Sequence, residues 1–215
     1  MRIKNIPTKE RNIRIAMCIF GNLFIGIGVA AFKFSLLGND PFDGMNMALS
    51  DLLKIYYPIL QIMVNICFFV IQVSLGRDLI GLGTVINAVL LGYIVDFCSK
   101  IFNMIAQTPD SLILRIIIML AGLIATGFGL SLYQTSDLGV APYDALAIIM
   151  DRKIRKLPYF FARIICDAGC ALVCFLAGGI IGLGTLASAF GFGPVISFFN
   201  KTVSQKLVKK GSRNP

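Results

Sequence analysis

Long apolar segments alternate with short polar ones along almost the whole chain. The long segments cover residues 13–37, 58–75, 82–102, 112–138, 158–177 and 183–203. Their lengths suit helices that cross about 30 Å of hydrocarbon with about 20 residues. Two further helical segments, residues 41–56 and 142–156, are shorter and reach only about 24 Å. The pattern predicts eight helical segments, two of them short.

Composition places these helices in a membrane. The chain has 215 residues, of which 57% are hydrophobic and 14% charged, and its mean hydropathy is +0.82. Soluble domains carry about 25% charged residues and leave much of their surface in water. We therefore predict an all-α polytopic membrane protein whose main partner is the lipid bilayer.

Positive charge is concentrated in three segments outside the apolar spans. The chain carries 20 Lys and Arg against 11 Asp and Glu, mostly in residues 2–14, 152–156 and 201–213. Cytoplasmic loops of membrane proteins are enriched in Lys and Arg. We expect a protein of the cytoplasmic membrane with a basic cytoplasmic N-terminus, residues 1–12, and a basic cytoplasmic tail, residues 204–215. No soluble basic face for nucleic acid is evident.

Metal and cofactor chemistry has little support in the sequence. The chain contains no His, and its six Cys lie inside apolar segments without a Cys-x-x-Cys pair. Cys166, Cys170 and Cys174 share one helix face, where a thiol site is an alternative, but we favour packing between helices. We predict no metal and no cofactor. With no nucleophile–base motif, we predict no enzymatic activity.

The sequence repeats itself after 101 residues. Residues 14–100 align with residues 115–201 without a gap, and roughly twenty positions are identical. The identities include Gly, Pro, Asp and Thr, which apolar sequences do not match readily by chance. This predicts two tandem four-helix repeats, residues 13–103 and 112–203, with pseudo-twofold symmetry.

The short segments decide how the repeats are related. If they span the membrane, each repeat crosses four times and the repeats are parallel; if they are re-entrant, the repeats are inverted. The parallel arrangement places Lys54, Lys100 and residues 152–156 inside, with Arg77 as the exception. The inverted one leaves Lys54, Lys100 and Arg115 outside. We favour eight crossings and parallel repeats, and the inverted arrangement remains the alternative.

Each short segment begins with the same motif. Its shared spacing is Gly-x-x-Pro-[Phe/Tyr]-Asp, with Gly38, Pro41 and Asp43 in the first repeat and Gly139, Pro142, Tyr143 and Asp144 in the second. Pro and Asp suit the first turn of any helix, so the motif can be purely structural. Alternatively, two helix N-termini converge at membrane depth and form a site for an anion, a cation or a proton.

A second duplicated motif is Gly-Leu-Gly-Thr at the start of each fourth segment. It comprises Gly81, Gly83 and Thr84, and then Gly182, Gly184 and Thr185. We expect the glycines to allow close helix contact and the threonines to cap the helices. The motif lacks the lysine of a phosphate-binding loop.

Polar residues within the apolar segments are further candidates for a cavity. The predicted lining residues are Asn46, Asn65, Asn87, Tyr143, Arg163 and Asp167. Arg163 and Asp167 are four residues apart on one helix and can form either an internal ion pair or part of the site.

At the duplicated motifs the chain resembles the YczE/YyaS/YitT group of bacterial integral membrane proteins, and its length resembles the YczE branch. The resemblance extends from the first helix to Asn200. It implies a multi-pass, transporter-like protein of the bacterial cytoplasmic membrane, without a settled substrate class.

Two functions emerge as hypotheses. The first is a small transporter or permease whose substrate, a small molecule or an ion, binds between the repeats near Asp43 and Asp144. The second is a non-transporting scaffold or substrate-binding subunit, which acts as a homo-oligomer or with a partner protein through glycine-rich helix faces.

Overall fold

The structure, a computed structural model, describes residues 7–154 and 157–212, with side chains up to residue 209. These residues contain no β-strand, as the all-α prediction requires. They form nine α-helices: α1 Thr8–Ser35, α2 Pro41–Leu53, α3 Tyr57–Leu75, α4 Leu82–Ile105, α5 Leu112–Thr135, α6 Pro142–Lys153, α7 Tyr159–Leu176, α8 Leu183–Phe199 and α9 Gln205–Ser212.

Six stretches of the described chain are long and apolar enough to cross a membrane. They are α1, α3, α4, α5, α7 and the continuous segment Leu183–Lys209. Large apolar side chains such as Val70 on α3, Phe97 on α4 and Phe175 on α7 are more than half exposed. Such surfaces suit lipid rather than water. The prediction of a multi-pass membrane protein is confirmed.

The helices that begin at the two Gly-x-x-Pro motifs are short, as predicted. α2 has 13 residues and α6 has 12. At 1.5 Å per residue they extend about 20 Å and 18 Å, well below the 30 Å of hydrocarbon.

α1 and α5 pack together and run in opposite directions. Nη1 of Arg14, near the start of α1, donates to the carbonyl of Ser136 at the end of α5, over 3.0 Å. Nε of Arg115, near the start of α5, donates to the carbonyl of Ser35 at the end of α1, over 2.6 Å. These positions are equivalent under the 101-residue shift. Each guanidinium meets unpaired carbonyls at a helix C-terminus.

The preference for parallel repeats is therefore wrong, because it requires α1 and α5 to cross the membrane in the same direction. The preference came from counting loop charges. Arg115 was one of the charges counted against the inverted arrangement, yet its side chain is used to cap α1 at Ser35 and Leu36.

Glycine pairs allow the close approach of α1 and α5. A Cβ atom built on Gly21 would lie 2.8 Å from the carbonyl oxygen of Gly129, and one on Gly122 would lie 2.9 Å from that of Gly28. Both distances are too short for any residue but glycine. Small residues bring helix backbones together in membranes, where hydrophobic burial does not drive association.

The Gly-Leu-Gly-Thr motifs join each repeat to the other. The amide of Gly83 donates to the carbonyl of Leu138, and the amide of Gly184 donates to that of Leu37, both over 2.8 Å. The hydroxyls of Thr84 and Thr185 accept from the amides of Gly81 and Gly182, as expected for caps. The partner loops turn at Gly38 and Gly139, whose φ angles of +96° and +112° favour glycine.

The predicted terminal segments are partly helical. α1 begins at Thr8, inside the predicted N-terminal segment 1–12. The predicted tail, residues 204–215, is helical as far as Ser212, because α8 continues through a π-helical turn, Asn200–Ser204, into α9. The side chain of Asn200 fixes this turn by accepting from the hydroxyls of Ser131 and Thr135 on α5. Residues 1–6, 155–156 and 213–215 lie outside the described residues.

Candidate functional site

The two short helices begin side by side in the centre of the bundle. The buried rings of Phe42 and Tyr143 stack with their centroids 4.4 Å apart and their planes at 12°. Phe42 and Tyr143 are equivalent positions of the two repeats, each directly after the proline that begins its helix. The cavity beside them is also lined by Ile25 and Thr126, from the middle turns of α1 and α5. The site therefore lies at mid-depth of the central helix pair.

Two buried carboxylates occupy the start of α2. Oδ1 of Asp40 caps the helix by accepting from the amides of Phe42 and Asp43, over 3.2 and 3.3 Å. Oδ1 of Asp43 accepts from the hydroxyl of Tyr57 and the amide side chain of Gln61, both over 3.0 Å. The two side-chain donors to Asp43 are neutral, so Asp43 is held by hydrogen bonds and not by an ion pair.

The start of α6 holds an ionic network instead. Arg163 on α7 donates to the carboxylate of Asp144 and forms an ion pair with Asp167 over 3.3 Å. The hydroxyl of Tyr143 donates to Asp167 as well. The guanidinium carbon of Arg163 lies 4.8 Å from the centroid of the Tyr143 ring, within cation–π distance. The structure thus brings together four of the predicted site residues.

Charge at this centre is unbalanced among the described residues. The cavities that meet there are lined by the carboxylates of Asp40, Asp43, Asp144 and Asp167 and by one guanidinium, that of Arg163. Carboxylates near helix N-termini gain from the partial positive charge there, about half an elementary charge per helix. In the described part of the chain no group of three or more Cys, Asp or Glu is placed to hold a metal ion.

Three predicted asparagines have different surroundings. Nδ2 of Asn87 donates to Oδ1 of Asn22 over 2.8 Å, and Asn87 lines the central cavity. Asn46 is buried on α2, and its Nδ2 donates within that helix to the carbonyl of Phe42. Asn65 faces α4 and lines a separate apolar cavity between α3 and α4. Asn65 therefore does not lie in the central site.

Sequence reasoning missed three residues of the site, namely Asp40, Tyr57 and Tyr159. Asp40 and Tyr57 align with Ala141 and Pro158 in the second repeat, so a search for repeated residues passes over them. The available signal for Asp40 was its place directly before Pro41, which is the helix-capping position. Tyr159 lines the wider cavity near Arg163.

Comparisons with known proteins agree with the resemblance to the YczE/YyaS group. An uncharacterised protein of Haemophilus influenzae is 27% identical over 191 residues, which cover 89% of this chain and 85% of that protein. The uncharacterised protein YyaS of Bacillus subtilis is 24% identical over 90% of this chain and 95% of its own length. The uncharacterised membrane protein YczE of Bacillus subtilis is 25% identical over 81% of this chain and 82% of its own length.

No solved structure matches this chain. A family of unknown function, DUF6198, matches residues 12–201, which is most of the sequence. The chain therefore belongs to the DUF6198 family.

Proposed function

We propose that this protein is a small transporter of the cytoplasmic membrane, and that its substrate binds at the charge cluster between the starts of α2 and α6. The observation that carries the proposal is that Asp43 is buried, and Asp144, Asp167 and Arg163 are partly buried near it, in a bundle with six candidate spans. Ionisable side chains are costly at membrane depth, and they typically mark a pathway for an ion or a substrate.

The arrangement of the helices supports an alternating-access mechanism. α2 and α6 are too short to span, so three helices of each repeat cross, and antiparallel α1 and α5 are what inverted repeats require. In such transporters half-length helices begin at the substrate site, and one part of the protein rocks against the other around it.

The distribution of charge supports cytoplasmic termini. Arg152 at the end of α6 pairs with Asp78, which comes after α3, over 2.6 Å. This region lies at the same end of the bundle as the start of α1. At the opposite end Lys100 pairs with Asp96 over 2.7 Å, and Arg115 caps α1. Lys100 and Arg115 thus have local roles. The remaining basic residues lie mostly at the end where the chain begins, and the positive-inside rule assigns that end to the cytoplasm.

Alternating access can be tested without knowing the substrate. In a background with the native cysteines replaced, Ser188→Cys places a thiol on the wall of the wider cavity near Arg163, where Ser188 is 1% exposed. A membrane-impermeant maleimide is applied to right-side-out and to inside-out vesicles. A transporter exposes its site to each side in turn, so labelling is expected from both sides.

The matched control is Leu186→Cys, two residues away on α8, where the side chain is 58% exposed toward lipid. This thiol should react from neither side, because the reagent does not enter hydrocarbon. Labelling of the residue 188 thiol from one side only, or from neither, would contradict transport. It would favour the alternative of a static scaffold or a binding subunit.

A further inference from the structure

The two repeats differ in how their third and fourth helices meet. A Cβ atom on Gly92 of α4 would lie 2.9 Å from Cα of Pro58, so α3 and α4 are in close contact there. The equivalent residue on α8 is Gly193, and a Cβ on it would meet no described atom within 4 Å. The helix pair of the first repeat is therefore closed at this level, and that of the second repeat is open.

A cavity of about 280 Å³ lies in the opening between α7 and α8. Its walls are mostly apolar and comprise Phe160, Ile164, Phe190, Phe192, Pro194 and Ile196. Phe160 is 59% and Phe190 is 70% exposed, on helices whose outer faces suit lipid. The mouth of the cavity is thus apolar and faces the bilayer.

The inner end of the same cavity is polar and carries excess negative charge. Asp40, Asp144 and Asp167 line it together with Arg163. Asp144 and Asp167 both pair with Arg163, so these two carboxylates outnumber the one guanidinium by one. About one negative charge is left for a ligand to neutralise.

From these features we propose that the α7–α8 cleft is a lateral entrance through which an amphipathic organic cation passes from the bilayer to the central site. The apolar part of the ligand would contact Phe160, Phe190 and Phe192. Its positive charge would lie beside Asp144 and Asp167 and over the ring of Tyr159 or Phe192. Binding of such a cation stands apart from the proposed function, and only its role as the transported substrate rests on that function.

Equilibrium binding of tetraphenylphosphonium to the purified full chain in detergent micelles tests whether the site prefers a positively charged ligand. Tetraphenylborate has nearly the same size and shape and the opposite charge, and empty micelles give the blank. We expect saturable binding of the cation, about tenfold weaker or absent binding of the anion, and a loss of about tenfold in Asp144→Asn. Equal binding of the two ions would overturn the proposal.

The entrance is tested by filling the cleft. A Cβ atom at Gly193 would meet no described atom within 4 Å, so Gly193→Leu should fold while binding of tetraphenylphosphonium falls about tenfold. The matched control Leu186→Phe enlarges a lipid-facing side chain of the same helix outside the cleft and should bind like the unsubstituted chain. Unchanged binding in both variants would overturn the lateral entrance.

A flux measurement separates this inference from the proposed function. Binding of tetraphenylphosphonium without protein-dependent uptake into proteoliposomes would contradict transport and leave the binding site standing. Labelling of Ser188→Cys from both sides, without saturable binding of the cation, would contradict this substrate class and leave transport standing.

Discussion

Replacing Gly28 with alanine should destabilise the protein by separating α1 from α5. A Cβ atom at this position would lie 2.6 Å from the carbonyl oxygen of Gly122 and 2.7 Å from the amide nitrogen of Thr126. Ordinary contacts of a Cβ atom begin at 3.4 Å. Both neighbours are backbone atoms, so a rotamer change cannot relieve the contact and the helices must move apart by several tenths of an ångström.

The size of the effect comes from two opposing contributions. Overpacking of a tight interior costs about 1–3 kcal/mol, and contacts with backbone belong at the upper end. Alanine gains about 1 kcal/mol over glycine inside a helix. The net loss is about 2 kcal/mol, which lowers the midpoint of thermal unfolding by about 4–8 °C for a chain of this size.

Gly169→Ala is the matched control, because a Cβ there meets no described atom within 4 Å. Only the helix-propensity gain of about 1 kcal/mol then remains, so the midpoint should rise by about 2–4 °C. A thiol-reactive dye reports unfolding in detergent through the buried Cys18 and Cys98, with the exposed Cys67 replaced by serine in all variants. Shifts of the same sign in the two alanine variants would refute the assignment of Gly28 to a tight helix contact.

Three further predictions concern the site, the topology and the surface. Asp43→Leu should unfold at a lower temperature than Asp43→Asn by the equivalent of about 2 kcal/mol or more, because asparagine keeps an acceptor for its two buried donors. Ser111→Cys in a cysteine-free background should react with an impermeant maleimide only from the outer face, and cytoplasmic labelling would contradict the inverted arrangement. The hydrogen bond to Asp96 raises the pKa of Tyr56, because it stabilises the protonated phenol. Asp96→Asn should therefore lower that pKa, which absorbance at 295 nm measures with Tyr56→Phe as the blank.

The positions of the long helices were predictable because the cause is local. A spanning helix needs about 20 consecutive apolar residues, and segment length reports that directly. The long helices α4 and α5 lie close to their predicted ranges. The chain ends were less predictable, because α9 packs on α1 and the π-turn depends on Ser131 and Thr135 of another helix.

Part of the site could also be found from sequence. Asp43 and Asp144 were identified because a repeated proline–carboxylate helix start is a visible pattern. Tyr57 could not be assigned to the site in this way, since its hydroxyl reaches Asp43 from a different helix. Only the tertiary arrangement places such residues together.

Counting the charges of the loops could not predict the relative orientation of the two repeats. The positive-inside rule treats each loop lysine or arginine alike. In this chain Lys100 is paired with Asp96 and Arg115 caps a helix, so neither reports topology faithfully. The backbone carbonyl that accepts from such an arginine cannot be recognised in the sequence, because every residue has one.

The two halves of the duplicated sequence differ at positions that line the site, so the site is asymmetric. Ile62 and Ile66 on α3 occupy the positions of Arg163 and Asp167 on α7, and they line a cavity with apolar surroundings. The same face of the same helix is therefore apolar and faces α4 in one half, and charged and apart from α8 in the other. A tightly packed pair resists relative motion, whereas an open pair can close without breaking contacts. If the protein alternates between two states, α7 should move against α8 while α3 and α4 stay together, because the cavity at α7–α8, about 280 Å³, is larger than the one between α3 and α4, about 140 Å³.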